Sequence, residues 1–323
     1  MFTGYGGAEF ALQNSNINYE IIGYSEIDKY ACKIYEKNFG KITNYGNSQK
    51  INPNEIPNFD LLTGGFPCQS FSITGNRRGE LDPRGTLIYD IIRIVKVKQP
   101  KWIVLENVKG FATKNFKHTF NKIIREFQKI GYKVKWDILN TKNYGIPQHR
   151  ERIIFVMYRK DLKMNFQFPE PEPLNIYLQD VLDKEVDEKY YLNEEQIQKF
   201  EQFINYNNNL NQCIQVGKIN NNDNSDRINR VYSSKGISFS ITASYMPKLV
   251  LQKKIRKLTP TECFRLQGFL NDEINLSDIS DSQLYKLAGN GWSINVFQRI
   301  FENMFYNNIN NTKIKRLDKY GFK

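Results

Sequence analysis

The stretch that decides the fold of this chain is Trp102-Ile103-Val104-Leu105-Glu106-Asn107-Val108. Its first four residues are all apolar, which is typical of a strand covered on both faces, and therefore of a parallel sheet between two layers of helices. A shorter apolar run lies upstream, at residues 59–62. The segment between the two runs carries apolar residues at helical spacing, namely Leu87, Ile88, Ile91, Ile92, Ile94 and Val95. This strand–helix–strand order predicts an α/β protein.

The alternation continues on both sides of this unit and predicts a mostly parallel sheet. Further strands are predicted at residues 20–24, 133–136 and 153–157, and further helices at 8–12, 120–130 and 293–305. Three alternating prolines at residues 168–173 make a stiff connector. Beyond it we predict a helix at 194–204, capped by Asn193, whereas residues 215–250 show few strand signals.

Composition narrows the functional classes. The 323 residues carry a formal net charge of +12, which favours a polyanionic partner such as nucleic acid, although a basic surface is often simply solvated. No long uncharged apolar run could span a membrane, and the polar opening does not resemble a signal peptide. The four scattered cysteines form no CxxC pair or zinc-type cluster, so we expect reduced thiols, a cytoplasmic protein and no metal site.

Two glycine-rich turns are candidates for ligand binding. Phe2-Thr3-Gly4-Tyr5-Gly6-Gly7 precedes a predicted helix, and such a turn lets a ligand approach the backbone and the positive end of the helix. Glu26 follows about 20 residues later, at the end of the next predicted strand, where a carboxylate can bind ribose hydroxyls. This spacing suits a nucleoside cofactor but does not distinguish NAD from S-adenosylmethionine. The second turn is Leu287-Ala288-Gly289-Asn290-Gly291-Trp292.

Four residues are candidates for catalysis. Cys68 lies in Gly64-Gly65-Phe66-Pro67-Cys68-Gln69-Ser70, directly after a predicted strand, and is either an exposed nucleophile or a small buried hydrophobe. Glu106 should project at the carboxyl edge of the sheet, where open α/β sheets bind ligands. Arg150 and Arg152 precede a strand in alternate register, so both should face the same side. The polar, cationic loop at residues 70–84 suits a lid over a phosphate backbone, or is an ordinary solvated loop.

Taken together, and in their order along the chain, these motifs resemble those of the DNA (cytosine-5)-methyltransferase family of bacterial restriction-modification systems. The matching blocks are Phe66-Pro67-Cys68-Gln69-Ser70-Phe71-Ser72, Glu106-Asn107-Val108, Gln148-His149-Arg150-Glu151-Arg152, Thr259-Pro260-Thr261-Glu262-Cys263-Phe264-Arg265-Leu266-Gln267-Gly268-Phe269 and Gly289-Asn290. The resemblance implies an α/β fold: a Rossmann-like, S-adenosylmethionine-dependent methyltransferase sheet at residues 1–168 and 253–323. A smaller target-recognition domain would be inserted at residues 169–252.

The resemblance also implies the reaction. A methyl group would pass from S-adenosylmethionine to carbon 5 of cytosine in a specific duplex DNA sequence, through a covalent Cys68 adduct on a flipped-out base. Glu106 would bind or protonate N3, Arg152 would hold O2 and Arg150 would support the pocket. The implied cofactor-binding residues are Phe2, Gly4, Tyr5, Gly6, Gly7, Glu26, Ile27, Asn47, Pro67, Leu87, Asn290 and Trp292. The implied DNA-binding residues are Gln69, Ser72, Arg77, Arg78, Arg84, Arg227, Arg230, Lys235, Ser240 and Lys248.

Three departures from the family pattern lead to expectations of their own. The family has a strand before the turn at Phe2, so we expect the natural start to lie upstream or the chain to be a truncated product. Asn47 replaces the usual aspartate that accepts a bond from the adenine amino group, so cofactor affinity is expected to be lower. Trp292 stands where a smaller residue is usual, and either contacts the cofactor or packs in the core.

Alternative interpretations remain open at this stage. One branch of the family methylates tRNA, and a truncated member could bind DNA without turnover. An NAD-dependent oxidoreductase would leave Pro67-Cys68 and the arginine pair unexplained. We expect a monomer that acts on double-stranded DNA, with a cognate restriction endonuclease encoded nearby. The sequence reveals neither the DNA target nor the group that removes the C5 proton.

Overall fold

The computed structural model describes residues 1–66, 87–113, 116–202, 209–219, 229–251 and 254–306. Its helices are α1 (Gly7–Asn14), α2 (Lys29–Phe39), α3 (Leu87–Lys98), α4 (Lys117–Lys129), α5 (Glu194–Gln198), α6 (Pro260–Arg265), α7 (Asp281–Asn290) and α8 (Ile294–Phe305). Its strands are β1 (Leu61–Gly65), β2 (Trp102–Val108), β3 (Tyr132–Asn140), β4 (Gln148–His149), β5 (Glu151–Arg159), β6 (Phe200–Gln202), β7 (Gln215–Ile219), β8 (Arg230–Ser233), β9 (Ser238–Phe239), β10 (Lys248–Leu251) and β11 (Lys254–Lys257). Across these ranges, no helix has the length and apolar character needed to cross a bilayer.

A four-stranded sheet with the order β1-β2-β5-β3 forms the centre of the larger part of the molecule. β1 and β2 are parallel, and Gly65 lies opposite Glu106. β5 runs antiparallel to both of its neighbours, so the expectation of a mostly parallel sheet is wrong for two of these three pairings. The reason is the short connection between Asn140 and Glu151, because a parallel crossover needs a dozen or more residues.

The predicted burial of β2 on both faces is confirmed. Trp102 and Val104 pack among side chains of α1 and α8. Ile103 and Leu105 pack on the opposite face, among side chains of α3 and α4. Because successive strand residues point to opposite faces, a strand between two helical layers requires an unbroken apolar run. The strand from which the α/β fold was predicted, β2, is therefore observed with helices on both of its faces.

Residues 20–24 do not form the predicted strand. They are extended, but they contribute only an isolated bridge between Tyr24 and Asn44. The Tyr24 N–H donates to the Thr43 carbonyl at 3.0 Å, and the Tyr45 N–H donates to the Tyr24 carbonyl at 2.7 Å. The other edge of this segment faces a cavity instead of a neighbouring strand. One side of the ladder is therefore missing.

The second sheet has the order β11-β10-β8-β7-β6. The predicted helix at 194–204 ends at Gln198, because Phe200–Gln202 pairs with β7 as β6, and this tertiary pairing overrides the local helical pattern. Residues 215–250, where few strand signals are present, contain β7 to β10. The sheet continues through β11 to Lys257, which lies beyond residue 252.

Gln148 connects the inserted segment to the rest of the molecule. It belongs to β4, which pairs in parallel with β9 from the inserted segment. Its side-chain amide donates to the Leu266 carbonyl at 2.7 Å, and its side-chain oxygen accepts the Ile241 N–H at 3.1 Å. These contacts fix residues 238–241 beside the start of β5, next to the carboxyl edge of the main sheet.

Candidate active site

A cavity of about 460 Å³ lies at the carboxyl ends of β1 and β2. This edge is where ligands bind in open α/β sheets. The predicted catalytic residues that line it are Glu106, Arg150 and Arg152. The predicted cofactor-binding residues that line it are Phe2, Gly4, Glu26, Ile27, Asn47, Leu87 and Asn290. The structure thus brings together, in a single cavity, two sets of residues that are far apart in the sequence.

The first glycine turn shapes one wall of the cavity. Gly4 and Gly6 have φ values of 60° and 93°, which glycine adopts without the steric cost that a side chain would bring. The Gly4 N–H donates to Oε2 of Glu26 at 2.9 Å. A Cβ atom at Gly7 would lie only 2.9 Å from Cβ of Trp292, so α1 can begin this close to the second glycine turn only with glycine at that position.

Glu26 organises the neighbouring backbone. Its Oε1 accepts the N–H groups of Ile27 at 2.8 Å and Asp28 at 2.9 Å, while within the described residues Oε2 accepts that of Gly4 alone. Since each carboxylate oxygen can accept two hydrogen bonds, Oε2 retains acceptor capacity for a ligand hydroxyl. The adjacent Ile27 side chain is 76% exposed and offers an apolar surface at the rim.

Glu106 and Arg152 form an ion pair in the cavity wall. Nε of Arg152 lies 2.8 Å from Oε1 of Glu106, and the two side chains are 19% and 11% exposed. Burial is the largest influence on the Glu106 carboxyl and raises its pKa, while the charges of Arg152 and Arg150 act in the opposite direction without cancelling that effect. A carboxyl with a raised pKa can hold a proton closer to neutral pH, which suits a general acid.

Arg150 is fully buried and binds three backbone carbonyls. Nη1 donates to Ile241 at 2.9 Å, and Nη2 donates to Gly289 at 3.1 Å and to Gly291 at 2.8 Å. Arg150 and Arg152 both line the cavity, consistent with their predicted alternate register, but they have different partners. Arg150 connects the inserted segment to the second glycine turn.

Four of the predicted cofactor-binding residues do not line this cavity: Tyr5, Gly6, Gly7 and Trp292. Tyr5 is buried, and its hydroxyl donates to the Trp292 carbonyl. The Trp292 ring stacks on Phe297 with the ring centroids 3.7 Å apart. Trp292 is therefore packed in the core. Because the two glycine turns lie close together, the side chains of Tyr5 and Trp292 lie behind the cavity wall.

Several predicted residues lie outside the described part of the chain. They are Pro67, Cys68, Gln69, Ser72, Arg77, Arg78, Arg84 and Arg227. The described chain before this loop ends at Phe66, whose carbonyl accepts a hydrogen bond from Nδ2 of Asn107 at 3.1 Å. The residue that precedes Phe66, Gly65, is the ladder partner of Glu106.

The remaining predicted DNA-binding residues all lie on the inserted segment. Lys235 is exposed, and Ser240 directly precedes one of the carbonyl acceptors of Arg150. Lys248 in β10 lies opposite Lys257 in β11, and burial together with this second charge lowers its pKa. Arg230 lies in β8, the strand parallel to β10. The structure places Ser240 beside the active-site cavity through its neighbour Ile241, and it brings the other three onto the adjoining sheet and its turn.

Three further residues line the cavity that the sequence analysis did not name as site residues: Asn107, Asp28 and Lys286. Asn107 holds the end of β1, while Lys286 and Asp28 form an ion pair among the residues that line the cavity. A signal for Lys286 exists, because it lies four residues before Asn290 on one helix and thus on the same face. Asn107 belongs to a block that carries the family resemblance, whereas no comparable pattern marks Asp28.

Comparisons with known proteins agree with this geometry. The family model described as C-5 cytosine-specific DNA methylase matches residues 1–306. The type II methyltransferase M.HhaI of Haemophilus parahaemolyticus is 37% identical, with 94% of this chain and 92% of that protein covered. The orphan methyltransferase M.SPRI of Bacillus phage SPR is 30% identical, with 96% and 97% covered. The solved structure of the Entamoeba histolytica methyltransferase EhMeth has a TM-score of 0.73 at 21% identity, covering 95% of this chain and 96% of that one, and so supports the fold. The chain belongs to the C-5 cytosine-specific DNA methylase family and is a DNA cytosine methyltransferase.

Proposed function

We propose that this enzyme transfers the methyl group of S-adenosylmethionine to carbon 5 of a cytosine in a specific duplex DNA sequence. The reaction would proceed through a covalent Cys68 adduct on a flipped-out base. The observation that carries the proposal is the single cavity that contains both Glu26 and the Glu106–Arg152 pair. It can hold a nucleoside at one end and present a buried acid and a cation at the other.

The residues around Glu26 fit S-adenosylmethionine. Glu26 retains acceptor capacity for the ribose hydroxyls, and Ile27 offers an apolar surface for the adenine ring. Oδ1 of Asn47 accepts the Gln49 N–H at 3.0 Å and has a second lone pair for the adenine amino group. The sulfonium of the bound cofactor would supply an electrophilic methyl group. Glu26, Ile27, Asn47 and Asn290 are the residues that we expect to hold it.

Cytosine itself is a poor nucleophile at carbon 5, which explains the need for Cys68. Attack of the thiolate on carbon 6 forms a C–S bond and converts the ring into an enamine, whose carbon 5 can accept the methyl group. Loss of the C5 proton to a base and elimination of the thiolate would then restore the aromatic ring. A free thiol, with a pKa of about 8.5, is mostly protonated at neutral pH, so the site must promote its ionisation.

Glu106 and Arg152 are placed to stabilise the attacked ring. A protonated Glu106 can donate to N3 and neutralise the negative charge that develops as the thiolate adds. Arg152 can donate to O2 while it remains paired with Glu106, because a guanidinium has five N–H donors. Burial raises the pKa of Glu106, which favours the protonated carboxyl that this role requires.

A cytosine within a duplex cannot reach this cavity, so the base must be flipped out at a cost of a few kcal/mol. We propose that contacts from the inserted segment offset this cost and read the target sequence. Ser240 lies beside the cavity, through its neighbour Ile241, and Arg230, Lys235 and Lys248 supply cationic groups on the adjoining sheet and its turn. We further expect a cytoplasmic monomer. Because the chain is similar both to a type II methyltransferase and to an orphan methyltransferase, a nearby endonuclease gene is an expectation that only the genome can test.

A direct test measures transfer of a labelled methyl group from S-adenosylmethionine to duplex DNA, with tRNA as the competing substrate. Bisulfite sequencing of the product reports the target. We expect labelled duplex DNA, no labelled tRNA, and loss of turnover in Cys68→Ala with DNA binding retained. Cys32→Ala serves as the matched control and should stay active. Methylation by Cys68→Ala, or no trapped complex between the wild type and a 5-fluorocytosine duplex, would contradict the covalent route.

A further inference from the structure

Asn44 is hydrogen-bonded to residues that line the active-site cavity, although it does not line the cavity itself. The residue is exposed and forms an isolated parallel bridge with Tyr24. Asn44 precedes Asn47 by three residues, and its bridge partner precedes Glu26 by two. Glu26 and Asn47 are the polar side chains that we propose to bind the ribose and the adenine of the cofactor. Asn44 therefore lies where one side chain can act on both.

The ladder that leads to this point is short. The Tyr24 N–H donates to the Thr43 carbonyl, and the Tyr24 carbonyl accepts the Tyr45 N–H, as in a parallel sheet. One step further, a regular ladder would join Glu26 to the backbone on both sides of Gly46. Gly46 has a φ of 62°, however, which lies outside the range of β-strands, so the ladder ends before this residue. The backbone of Glu26 consequently needs other partners.

The carboxamide of Asn44 supplies those partners. Its Nδ2 donates to the Glu26 carbonyl at 3.1 Å, and its Oδ1 accepts the Glu26 N–H at 3.2 Å. The same Oδ1 accepts the Gly46 N–H at 2.9 Å. Nδ2 also lies 3.3 Å from Sγ of Cys32, which is a weak acceptor. One side chain thus binds both backbone groups of Glu26 and connects them to the turn at Gly46.

The two connected segments carry the two side chains that we propose to bind the nucleoside. The Glu26 carboxylate is oriented by N–H groups of its own segment and of Gly4, and these bonds do not involve Asn47. Asn47 directly follows Gly46. Ser25 makes a second connection between the segments, since its hydroxyl donates to the Gly46 carbonyl at 2.7 Å. The distance between the Glu26 and Asn47 side chains therefore depends on the bonds at Gly46.

We propose that Asn44 is a positioning residue for the nucleoside part of the cofactor, because its carboxamide sets the distance between Glu26 and Asn47 before the ligand binds. The inference rests on the proposed function, in which these two residues hold the ribose and the adenine. Asn44 would not contact the cofactor. It would raise affinity through preorganisation, which reduces the ordering that binding otherwise requires.

The exposure of Asn44 separates this role from a contribution to stability. When the side chain is shortened in Asn44→Ala, water can bond to the backbone groups of Glu26 and Gly46 in its place. The melting temperature of the ligand-free variant should therefore stay within about 2 °C of the wild-type value. A larger fall that accompanies a loss of cofactor affinity would overturn the proposal, because Asn44 would then support the fold and not the site alone.

Hydrogen exchange of the ligand-free protein provides a direct test. In Asn44→Ala, the amides of Glu26 and Gly46 should exchange at least about tenfold faster than in the wild type, because their acceptor is removed. The amides of Tyr24 and Tyr45 should keep their rates, since they donate to backbone carbonyls. Unchanged exchange at Glu26 and Gly46 would contradict the proposal. Faster exchange at all four amides would also contradict it, because the whole segment would then depend on Asn44.

Calorimetric titration with S-adenosylhomocysteine, the cofactor after loss of its methyl group, measures affinity without methyl transfer. We expect the Kd of Asn44→Ala to be about tenfold higher than that of the wild type. In the transfer assay, the KM for S-adenosylmethionine should rise by a similar factor, while kcat and the KM for duplex DNA stay unchanged. A lower kcat at saturating cofactor would overturn the proposal, because Asn44 would then act on the catalytic groups.

Asn52→Ala is the matched control. Asn52 is also exposed, and its carboxamide bonds to Asn54 and Glu55, away from the cavity lining. Cys32→Ala removes the sulfur contact alone. Both controls should bind S-adenosylhomocysteine with wild-type affinity, and an equal loss in either control and in Asn44→Ala would contradict the inference. Wild-type protein that fails to bind this ligand would overturn the proposed cofactor as well, whereas wild-type binding without a loss in Asn44→Ala would overturn the positioning role alone.

Discussion

Glu106 and Arg152 form a buried ion pair in the wall of the active-site cavity. Their contact at 2.8 Å keeps the guanidinium in the cavity wall, and burial raises the pKa of the carboxyl. The position of Glu106 was predictable, because a polar residue directly after a buried strand must lie at the carboxyl edge of the sheet. Its ion pair was not predictable, since the partner is 46 residues away and is brought there only by the reversed direction of β5.

Glu106→Gln should lower the rate of methyl transfer by about 10²–10⁴-fold, the usual contribution of general acid–base catalysis. Affinity for duplex DNA should change little. In the mechanism that we propose, the carboxyl is protonated when the ring is attacked, so the wild-type rate should fall as pH rises through the Glu106 pKa. This limb should be absent from the residual activity of the variant. Rate–pH profiles of both proteins test this. Glu151→Gln, a neighbouring carboxylate that contacts Lys109, is the control and should keep the wild-type profile.

Arg150→Met should lower the free energy of unfolding by about 3 kcal/mol, because it leaves buried carbonyls of Ile241, Gly289 and Gly291 without their donor. Affinity for S-adenosylmethionine should also fall, since Asn290 lies between two of these carbonyls. Urea unfolding and cofactor titration provide the two measurements. Arg159→Met, on the surface, should alter neither. A variant with wild-type stability and weakened catalysis alone would show that Arg150 contacts substrate and does not act by positioning.

At the scale of elements, prediction succeeded where a segment's partners are implied by its own pattern. β2 must be covered on both faces, and the helix predicted at residues 120–130 is observed as α4, with Phe120, Ile123 and Phe127 buried. Prediction failed where the conformation of a segment depends on contacts with residues that are distant in the sequence. Residues 200–202 pair with β7 and leave the helical state, and residues 20–24 lack a neighbour on one edge. The local pattern of apolar residues predicts neither the pairing of residues 200–202 with β7 nor the missing neighbour of residues 20–24.

The buried pair at the start of α6 provides a test at this scale. Arg256 and Glu262 are almost fully buried, joined by two hydrogen bonds, and Glu262 also accepts the N–H groups of Thr259 and Asp183. Glu262→Gln should therefore lower the free energy of unfolding by about 3–5 kcal/mol, because Arg256 keeps an uncompensated buried charge.

A double-mutant cycle with Arg256→Met makes this measurement specific to the pair. The double variant Arg256→Met, Glu262→Leu should cost much less than the sum of the two single variants, as judged by urea unfolding. Glu273→Gln, an exposed carboxylate near α6, should have little effect. Additive costs in the cycle would mean that the two charges do not stabilise each other.

At the scale of the whole molecule, the net charge and the order of the motifs indicate different properties of the protein. The net charge of +12 indicates a polyanionic partner and is compatible with many folds, whereas the order of motifs implies the fold and the reaction together. Glycine turns at opposite ends of the chain meet at one cavity, as the family resemblance implies. The sequence alone does not decide between the two expectations for Trp292, because the position of its side chain depends on the separation of the two turns.

DNA binding should depend strongly on salt. An enzyme that contacts six to ten phosphates loses about 10³–10⁵-fold in affinity between 50 and 200 mM salt. We expect a loss of at least about 10²-fold for duplex DNA and little change for S-adenosylmethionine, whose cavity also contains the paired charges of Lys286 and Asp28. Fluorescence anisotropy of a labelled duplex and cofactor titration at several salt concentrations measure both. Equal salt dependence of the two ligands would show that the cationic residues do not act selectively on the phosphate backbone.

The bonds of Arg150 have a thermodynamic consequence for the order of events. One side chain restrains both the segment between β9 and β10 and the second glycine turn, which lines the active-site cavity. If occupancy of the turn by the methyl donor tightens the grip on the target duplex, the duplex must tighten the grip on the donor by an equal factor, because the coupling free energy is reciprocal. We therefore expect the demethylated cofactor to dissociate more slowly from the complex of enzyme and duplex DNA than from the enzyme alone.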